Sequence, residues 1–474
     1  MAKTLLDFFA KQRRIYPRRV WGRYRKLKWV AMITLLGIYY LAPWIRWDRG
    51  PHLPDQAILI DMPSRRAYFF FIEIWPQEVY YLTGILILAA VGLFFVTSMF
   101  GRVWCGYACP QTVWTDLFVW VERIIQGDRN ARMKLDKAPL GFEKIYKKGL
   151  THLIWLVIGL CTGGAWVFYF NDAPTLVDHL LHFDVPWTIG SWILALTFST
   201  YIMAGYAREQ VCTYMCPYAR FQSAMFDKDT LIISYDTDRG EPRGSHKQGD
   251  SWEGRGHCID CNQCVVVCPM GIDIRKGLQM ECIACGLCVD ACNNVMDKVG
   301  LPKGLIRYDT THNLEQRSLA KKEGKSWKEH MHLVRPRTFY YAGVLTLVIS
   351  LMVYSLSTRS TWEVHALHDR NPLFVRLSEG GVRNNYTIKI LNKTHDDMDV
   401  ALSVEGVDNA SITVQSAGTI TPEALTVLAD SVGQFRVMVT VSGELTKDRY
   451  PITFMIRNKQ TNAVIEHEAV FVTR

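Results

Sequence analysis

Long apolar runs alternate along the chain with strongly polar segments. A membrane-spanning helix needs about 20 mostly apolar residues, and five runs meet this length or approach it: residues 29–45, 79–100, 151–170, 187–207 and 338–357. Tryptophan and tyrosine gather at their ends, as they do where helices meet the membrane surface. The pattern therefore predicts a polytopic α-helical membrane protein with five spans in contact with the lipid bilayer.

The positions of the basic residues predict the orientation of these spans. An arm at residues 1–28 is rich in Lys and Arg, and so are the connections 101–150 and 208–337, whereas 171–186 contains neither residue. Because Lys and Arg favour the cytoplasmic side, we expect the arm inside and residues 358–474 in the periplasm of a bacterial inner membrane. This topology also accounts for the net charge of +9, so no nucleic-acid partner is expected.

The end of the chain has the alternating pattern of strands instead of unbroken apolar runs. Within residues 358–474, turns rich in Gly, Asn and Asp separate short β-branched segments, which lie at 386–391, 400–404, 411–414, 434–441, 452–456 and 469–472. Short strands at this spacing are typical of an antiparallel sandwich. We predict a C-terminal all-β immunoglobulin-like domain.

Two cysteine runs near the middle of the chain share one spacing. Eight of the 13 cysteines fall within residues 258–292, as C-x2-C-x2-C-x3-C twice. In two-cluster ferredoxins the first three cysteines of each run hold one 4Fe–4S cluster and the fourth holds the other cluster. The predicted ligand sets are Cys258, Cys261, Cys264 and Cys292 for one cluster, and Cys282, Cys285, Cys288 and Cys268 for the other.

Zinc is the competing metal for these cysteines. Zinc ribbons use two separated C-x2-C pairs, whereas here each run has four cysteines in a two-two-three rhythm. We therefore predict a ferredoxin-like domain at 258–300, reached by a polar linker at 236–257 and followed by a cytoplasmic connector at 301–337. Residues 29–235 form the membrane domain with the first four spans.

Two further cysteine pairs have the form Cys-x3-Cys-Pro. The second span is followed by WCGYACPQ (104–111) and the fourth by CTYMCPY (212–218). Proline is favoured at the first position of a helix, which places Cys109 and Cys216 at helix N-caps, where the helix dipole stabilises thiolate. The four thiols could bind copper, line a quinol or flavin pocket, form redox-active disulfides or simply pack.

Together the basic arm, the five spans, both Cys-x3-Cys-Pro motifs, the doubled cluster motif and the β tail resemble the CcoG/FixG/RdxA family. These are accessory proteins of the bacterial cbb-type haem-copper oxidase. The resemblance covers the whole chain and implies a cupric reductase that supplies Cu(I) for oxidase assembly. It also implies copper as substrate, copper chaperones and oxidase subunits as partners, and catalytic, copper-handling roles for Cys105, Cys109, Cys212 and Cys216.

Two other functions remain open from the residues alone. A quinol dehydrogenase-type electron relay, similar to the membrane ferredoxins of periplasmic nitrate reduction, would also carry Cys-x3-Cys-Pro. A non-catalytic assembly scaffold would instead use the β domain to dock a partner. The sequence has no nucleotide fingerprint that would name the electron donor, and it is compatible with both a monomer and a homodimer.

Overall fold

A computed structural model describes residues 14–50, 53–246, 251–325, 327, 332, 334–378, 380–415, 421–443 and 447–474. Lys11 and Arg13 of the predicted basic arm lie outside these residues. The chain divides into two compact units. One contains Met1–Trp47 and Gln56–Met352, and the other contains Asp48–Asp55 and Val353–Arg474.

Helices form most of the first unit, and the last helix continues into the second. They are α1 (Arg23–Leu41), α2 (Tyr80–Phe100), α3 (Val103–Tyr107), α4 (Pro110–Gln126), α5 (Arg129–Lys137), α6 (Phe142–Val167), α7 (Ala173–Leu181), α8 (Trp187–Thr200), α9 (Pro217–Met225), α10 (Thr237–Gly240), α11 (Gln263–Val266), α12 (Leu287–Lys298), α13 (Thr311–Lys322) and α14 (Pro336–Ser357). Two π-helical segments, Tyr201–Ala207 and Val211–Met215, connect α8 to α9.

Five helical segments of the described residues are long and apolar enough to cross a membrane, at the positions of the five predicted spans. They are Arg23–Trp44, Pro76–Phe100, Phe142–Val167, Trp187–Ala207 and Pro336–Ser357. The first and third begin earlier than residues 29 and 151, where the apolar runs begin. Lys and Arg are good helix formers, so both helices extend into the basic sequence before the apolar run.

The described part of the basic arm is packed against other elements. Arg25 and Lys28 are each 4% exposed, and both pair with Asp116 of α4, Arg25 at 2.8 Å and Lys28 at 3.9 Å. The Asp290 carboxylate of α12 accepts hydrogen bonds from two backbone N–H groups at the start of α1, at 3.2 and 2.8 Å. Side chains from α4 and α12 therefore fix the first turn of α1.

The folded region around the two cysteine runs is wider than residues 258–300. Strand β4 (Leu231–Tyr235) pairs antiparallel with β5 (Ile306–Thr310), and the buried side chains of Ile233, Leu305 and Ile306 join the core that contains Cys258 and Cys292. Helix α10 lies inside the predicted linker, where the Asp236 side chain caps its first turn. The strand pair was not predicted because its two members stand 71 positions apart.

A small antiparallel sheet, also absent from the sequence prediction, precedes α2. It contains β1 (Ile58–Asp61), β2 (Arg66–Phe69) and β3 (Ile72–Ile74) in that order. The three strands are only three or four residues long, which is too short for an alternation of apolar and polar residues to predict a strand.

The second unit contains two antiparallel sheets. In our numbering its strands are β6 (Trp362–His368), β7 (Val375–Arg376), β8 (Val382–Asn392), β9 (Met398–Glu405), β10 (Ala410–Gln415), β11 (Leu425–Val427), β12 (Ser431–Val441), β13 (Arg449–Asn458) and β14 (Val464–Val472). One sheet has the order β10-β12-β8-β6, with β7 paired to β8, and the other has β11-β9-β13-β14. The two sheets share one core, in which Tyr386, Val437, Phe454 and Phe471 are fully buried. All six predicted strands fall inside observed strands, and β6, β7 and β11 are additional.

Candidate metal centres

Four cysteines from the two runs line a first cavity beside β4 and α12. They are Cys258, Cys261, Cys264 and Cys292. Three of the four are buried, whereas Cys261 is exposed. The cavity wall also contains Tyr235 of β4, whose hydroxyl donates to Glu241 at 3.2 Å and interacts electrostatically with the Cys258 thiol. We name this the first cavity.

A second cavity is lined by the other four cysteines of the runs, Cys268, Cys282, Cys285 and Cys288, and Cys264 also reaches its wall. The remaining wall is apolar and includes Ile233, Ile274 and Ile283. Burial raises the pKa of Cys268 to about 12 and that of Cys282 to about 11. We name this the second cavity. In each cavity three of the four cysteines come from one run and the fourth comes from the other run.

The donor set in these cavities fits iron–sulfur clusters better than a single ion. Each cavity is lined by three cysteines of one run and by the fourth cysteine of the other run. This exchange of the fourth ligand is the arrangement of two-cluster ferredoxins, whereas zinc ribbons take their ligands from two separated C-x2-C pairs.

Both Cys-x3-Cys-Pro motifs end at the start of a helix. Helix α4 begins at Pro110 with Cys109 at its N-cap, and α9 begins at Pro217 with Cys216 at its N-cap. These are the positions predicted from the prolines. Neither thiol makes a hydrogen bond to the backbone of the following turn, so the structure shows no direct contact that would stabilise thiolate at these caps.

The four thiols of the two motifs come together although the motifs are far apart in sequence. Electrostatic interactions link Cys105 to Cys109, Cys212 and Cys216, and they link Cys212 to Cys109 and Cys216. Burial, followed by these neighbouring thiols, raises the pKa of Cys105 to about 12 and that of Cys212 to about 11. No three of the four sulfur atoms lie within 4.8 Å of one another in the described part of the chain. We call this group the thiol site.

The thiol site lies against the loop that carries the second cavity. The backbone of Gly106 approaches this loop so closely that an added Cβ would lie 2.7 Å from the Ile283 carbonyl oxygen and 3.0 Å from that of Ala284. Tyr107 donates a hydrogen bond from its hydroxyl to the Cys285 carbonyl at 3.0 Å. Cys105 and Cys212 pack against the core cluster that includes Ile283 and Cys285.

Two polar side chains brace this contact, and the sequence analysis did not identify either of them. The Arg102 guanidinium donates to the carbonyl oxygens of Met280 and Ala219, which ties the second cysteine run to α9. The Cys105 thiol donates to Gln222 Oε1 at 3.2 Å, and Gln222 is fully buried. In the sequence, only the glycine between Cys105 and Cys109 indicated this contact, since glycine often occurs where two backbone segments approach closely.

Three family models match the chain. A 4Fe-4S dicluster domain matches residues 207–311, a 4Fe-4S binding domain matches residues 82–127, and an IG-like fold at the C-terminus of FixG matches residues 352–474. The first match contains both cysteine runs together with β4 and β5, and the second contains the first Cys-x3-Cys-Pro motif. The third agrees with the predicted immunoglobulin-like domain.

Curated relatives match along most of their length. The nitrogen fixation protein FixG of Rhizobium meliloti (strain 1021) is 48% identical over 464 residues, covering 93% of this chain and 88% of the relative. Protein RdxB of Cereibacter sphaeroides is 48% identical, covering 88% of this chain and 89% of the relative. Protein RdxA of the same organism is 45% identical, covering 91% of this chain and 90% of the relative. The chain therefore belongs to the FixG/RdxA family of membrane iron–sulfur redox proteins.

Proposed function

We propose that this protein is an electron-transfer enzyme that reduces Cu(II) to Cu(I) at the thiol site. The observation that carries the proposal is the close contact between the Gly106 backbone and the loop of the second cavity. This contact holds the first motif beside a candidate redox centre, and Cys105 and Cys212 of the two motifs pack against the same core. The family resemblance adds the biological purpose, which is copper supply for assembly of the cbb-type oxidase.

The two cavities would hold the resident cofactors. Cys258, Cys261, Cys264 and Cys292 would hold one 4Fe–4S cluster, and Cys268, Cys282, Cys285 and Cys288 would hold the other. When bound, each cluster supplies or accepts one electron at a potential set by nearby hydrogen bonds, charge and solvent. The chain's own contribution is to keep the second cavity apolar and to fix the thiol site against it.

The chemistry of sulfur explains why copper is the substrate that we propose. One electron converts one Cu(II) ion to Cu(I), and soft thiolate ligands prefer Cu(I). A site that binds Cu(I) more tightly than Cu(II) makes the reduction more favourable. Copper binding must displace the thiol protons, and burial opposes this loss at Cys105 and Cys212. The positive charge of Arg102 partly offsets that effect at both thiols.

Orientation and partners belong to the same proposal. The basic residues near α1 and α6 favour the cytoplasmic side of a bacterial inner membrane for the cavities and the thiol site. The β domain would then face the periplasm. There it would meet copper chaperones or oxidase subunits, as the family resemblance implies.

The decisive experiment mixes dithionite-reduced full-length protein with Cu(II) in a stopped-flow instrument. Cluster reoxidation is followed in the visible spectrum, and Cu(I) is trapped with a colorimetric chelator. We expect Cu(I) to form at the rate of reoxidation, at about two Cu(I) per chain, because each 4Fe–4S cluster gives up one electron.

Serine variants of the thiol site provide the comparison. Cys105→Ser and Cys212→Ser should slow Cu(I) formation strongly while the cluster spectra stay unchanged. Cys161→Ser is the matched control, since Cys161 is an exposed lone cysteine on α6. Equal Cu(I) formation in all three variants would refute a copper role for the thiol site.

A further inference from the structure

A third cavity lies between the arm before α1, helix α4 and the second cysteine run. Its wall is largely apolar and includes Ile15, Met270 and Ile283, while Lys28, Thr115 and Glu209 bring polar groups to it. Met270 and Ile283 also line the second cavity, so one layer of side chains separates the two spaces. Cys212 of the thiol site reaches the wall as well.

Lys28 is the polar group in this cavity that most requires a partner. Its side chain is buried, and its ammonium group makes one ion pair, to Asp116 at the long distance of 3.9 Å. The same carboxylate already accepts two hydrogen bonds from Arg25, at 2.8 and 2.9 Å. Within the described residues Lys28 donates no hydrogen bond, and burying an ammonium group without an acceptor is costly.

Other charged groups around the cavity do not supply that acceptor. Arg208 pairs with Glu122 at 2.7 Å, and the half-buried Arg123 has a buried Nε–H without a hydrogen-bond partner in the described part of the chain. Glu209 lies on the wall as a carboxyl group whose pKa burial raises. The cavity therefore combines unused donors, one carboxyl group and apolar walls.

A neighbouring cavity links this space to the membrane-spanning helices. It shares Ile15, Arg208 and Glu209 with the third cavity, and it continues to aromatic side chains of α6 and the Tyr201–Ala207 segment, including Trp155 and Tyr206. Tyr206 is 56% exposed on a segment apolar enough to lie in a bilayer. Arg14, Lys148 and His152 also line this neighbouring cavity, so it offers a route from the lipid for a molecule that has a polar head group.

We propose that the third cavity binds the head group of a membrane hydroquinone, which makes it the point where electrons enter the protein. A hydroquinone is an apolar ring with two oxygen atoms, so it matches apolar walls with polar groups at separate places. Lys28 would donate to one oxygen, and the Glu209 carboxylate would accept from the other hydroxyl. A free phosphate would satisfy Lys28 but would leave the apolar wall without a partner. The inference rests on the proposed function, because it names the reductant for the same clusters.

The redox balance is simple. Oxidation of one hydroquinone breaks its two O–H bonds and forms one quinone, two protons and two electrons. The electrons would go to the two 4Fe–4S clusters that the cavities would hold, one to each, and the protons would pass to Glu209 and to water.

The test measures binding of decyl-ubiquinone to the purified full-length protein in detergent by isothermal titration calorimetry. We expect saturable binding at one site per chain, weakened about tenfold or more by Lys28→Met, because a hydrogen bond from a buried charged group is lost. Lys26→Met is the matched control, since Lys26 is exposed on the same helix. Ile15→Phe narrows the cavity without removing a charge and should also weaken binding.

Several outcomes would overturn the proposal. They are no saturable binding of the quinone, equal affinity of the quinone for wild type and both cavity variants, or binding of inorganic phosphate without any binding of the quinone. A cluster spectrum of Lys28→Met equal to that of wild type would show that this variant is folded. If the spectrum differs, the comparison is made with Ile15→Phe instead. Copper reduction by dithionite-reduced wild type needs no quinone, so a failure there counts against the proposed function and leaves this test unaffected.

Discussion

The two cysteine cavities have the same spacing of ligands but different neighbours. The first cavity packs against the β4–β5 pair through Tyr235 and Ile306, and its Cys261 is exposed. The second cavity packs against Cys-x3-Cys-Pro segments, with Gly106 in close backbone contact. The two cysteine runs have the same spacing, but the elements that flank them give the two cavities different surroundings.

This difference indicates an order for electron transfer. Only the second cavity adjoins both the thiol site and the third cavity. In the proposed function, electrons would reach the thiol site directly from a cluster in the second cavity, whereas a cluster in the first cavity would store one additional electron. Four experiments test this asymmetry, and they are ordered by the size of the effect expected.

The largest effect is expected from removal of the exchanged cysteines. If Cys292 belongs to the first cavity and Cys268 to the second, Cys292→Ala should leave a dithionite-reduced chain able to reduce one Cu(II). Cys268→Ala should abolish the reaction. Each variant should hold about four iron atoms in place of about eight, measured by iron analysis alongside EPR spectra of the remaining cluster.

The opposite pattern would contradict this ligand assignment. If each run held its own cluster, Cys268→Ala would remove the cluster of the first run and spare copper reduction. Cys292→Ala would then be the inactive variant. Cys161→Ala is the control, because it removes a thiol but leaves all eight cysteines of the two runs in place.

The next largest effect is expected at the contact between the thiol site and the second cavity. Gly106→Ala places a methyl group 2.7 Å from a backbone oxygen, so the two segments must separate, at a cost of about 1–3 kcal/mol. We expect slower copper reduction and a changed EPR signal for the second cluster alone, measured in the stopped-flow and EPR experiments. In Gly149→Ala of α6 the new methyl group meets no atom within 4 Å, so this control should be neutral or slightly stabilising. Equal rates in both variants would show that the contact has no role.

A moderate effect is expected from Asp290, which lies on α12 between a cysteine of each cavity. Its carboxylate accepts hydrogen bonds from the first turn of α1, and loss of such a cap costs about 0.5–2 kcal/mol. Asp290→Ala should therefore lower the free energy of unfolding by about that amount, measured by chemical denaturation in detergent. Asp297→Ala is the control, since Asp297 is half exposed on the same helix and pairs with Lys303 at 3.0 Å. A loss of stability in the control as large as that in Asp290→Ala would show that the cap is not the cause.

The sequence was sufficient for the parts of the molecule that repeat a local pattern. Apolar run length predicted the five apolar helices, alternation predicted six of the β-domain strands, and the prolines after Cys109 and Cys216 predicted the starts of α4 and α9. The two-two-three spacing predicted a ligand set for each cluster; the cysteines of each set line one cavity, and their binding of clusters stays a prediction. In each case the information lies within a few residues of the feature.

The sequence was insufficient where the structure depends on distant contacts. The β4–β5 pair, the Asp290 cap of α1 and the packing of Gly106 against Ile283 all join segments more than 70 positions apart. Arg25 and Lys28 were interpreted as part of a basic arm that marks orientation, yet they are buried against Asp116. A single sequence records the charges of these residues but not their partners.

The smallest effect is expected from the hydroxyl of Tyr235, which distinguishes the first cavity from the second. It interacts electrostatically with the Cys258 thiol and donates a hydrogen bond to Glu241 at 3.2 Å. The reduction potential of a 4Fe–4S cluster depends on the polar groups near its ligands. Tyr235→Phe should therefore shift the potential of the first cluster and leave the second unchanged, measured by EPR-monitored redox titration. Tyr308→Phe is the matched control, since its hydroxyl donates to the Ala284 carbonyl beside the second cavity. If both clusters shifted together in Tyr235→Phe, the two cavities would be coupled more closely than their separate surroundings suggest.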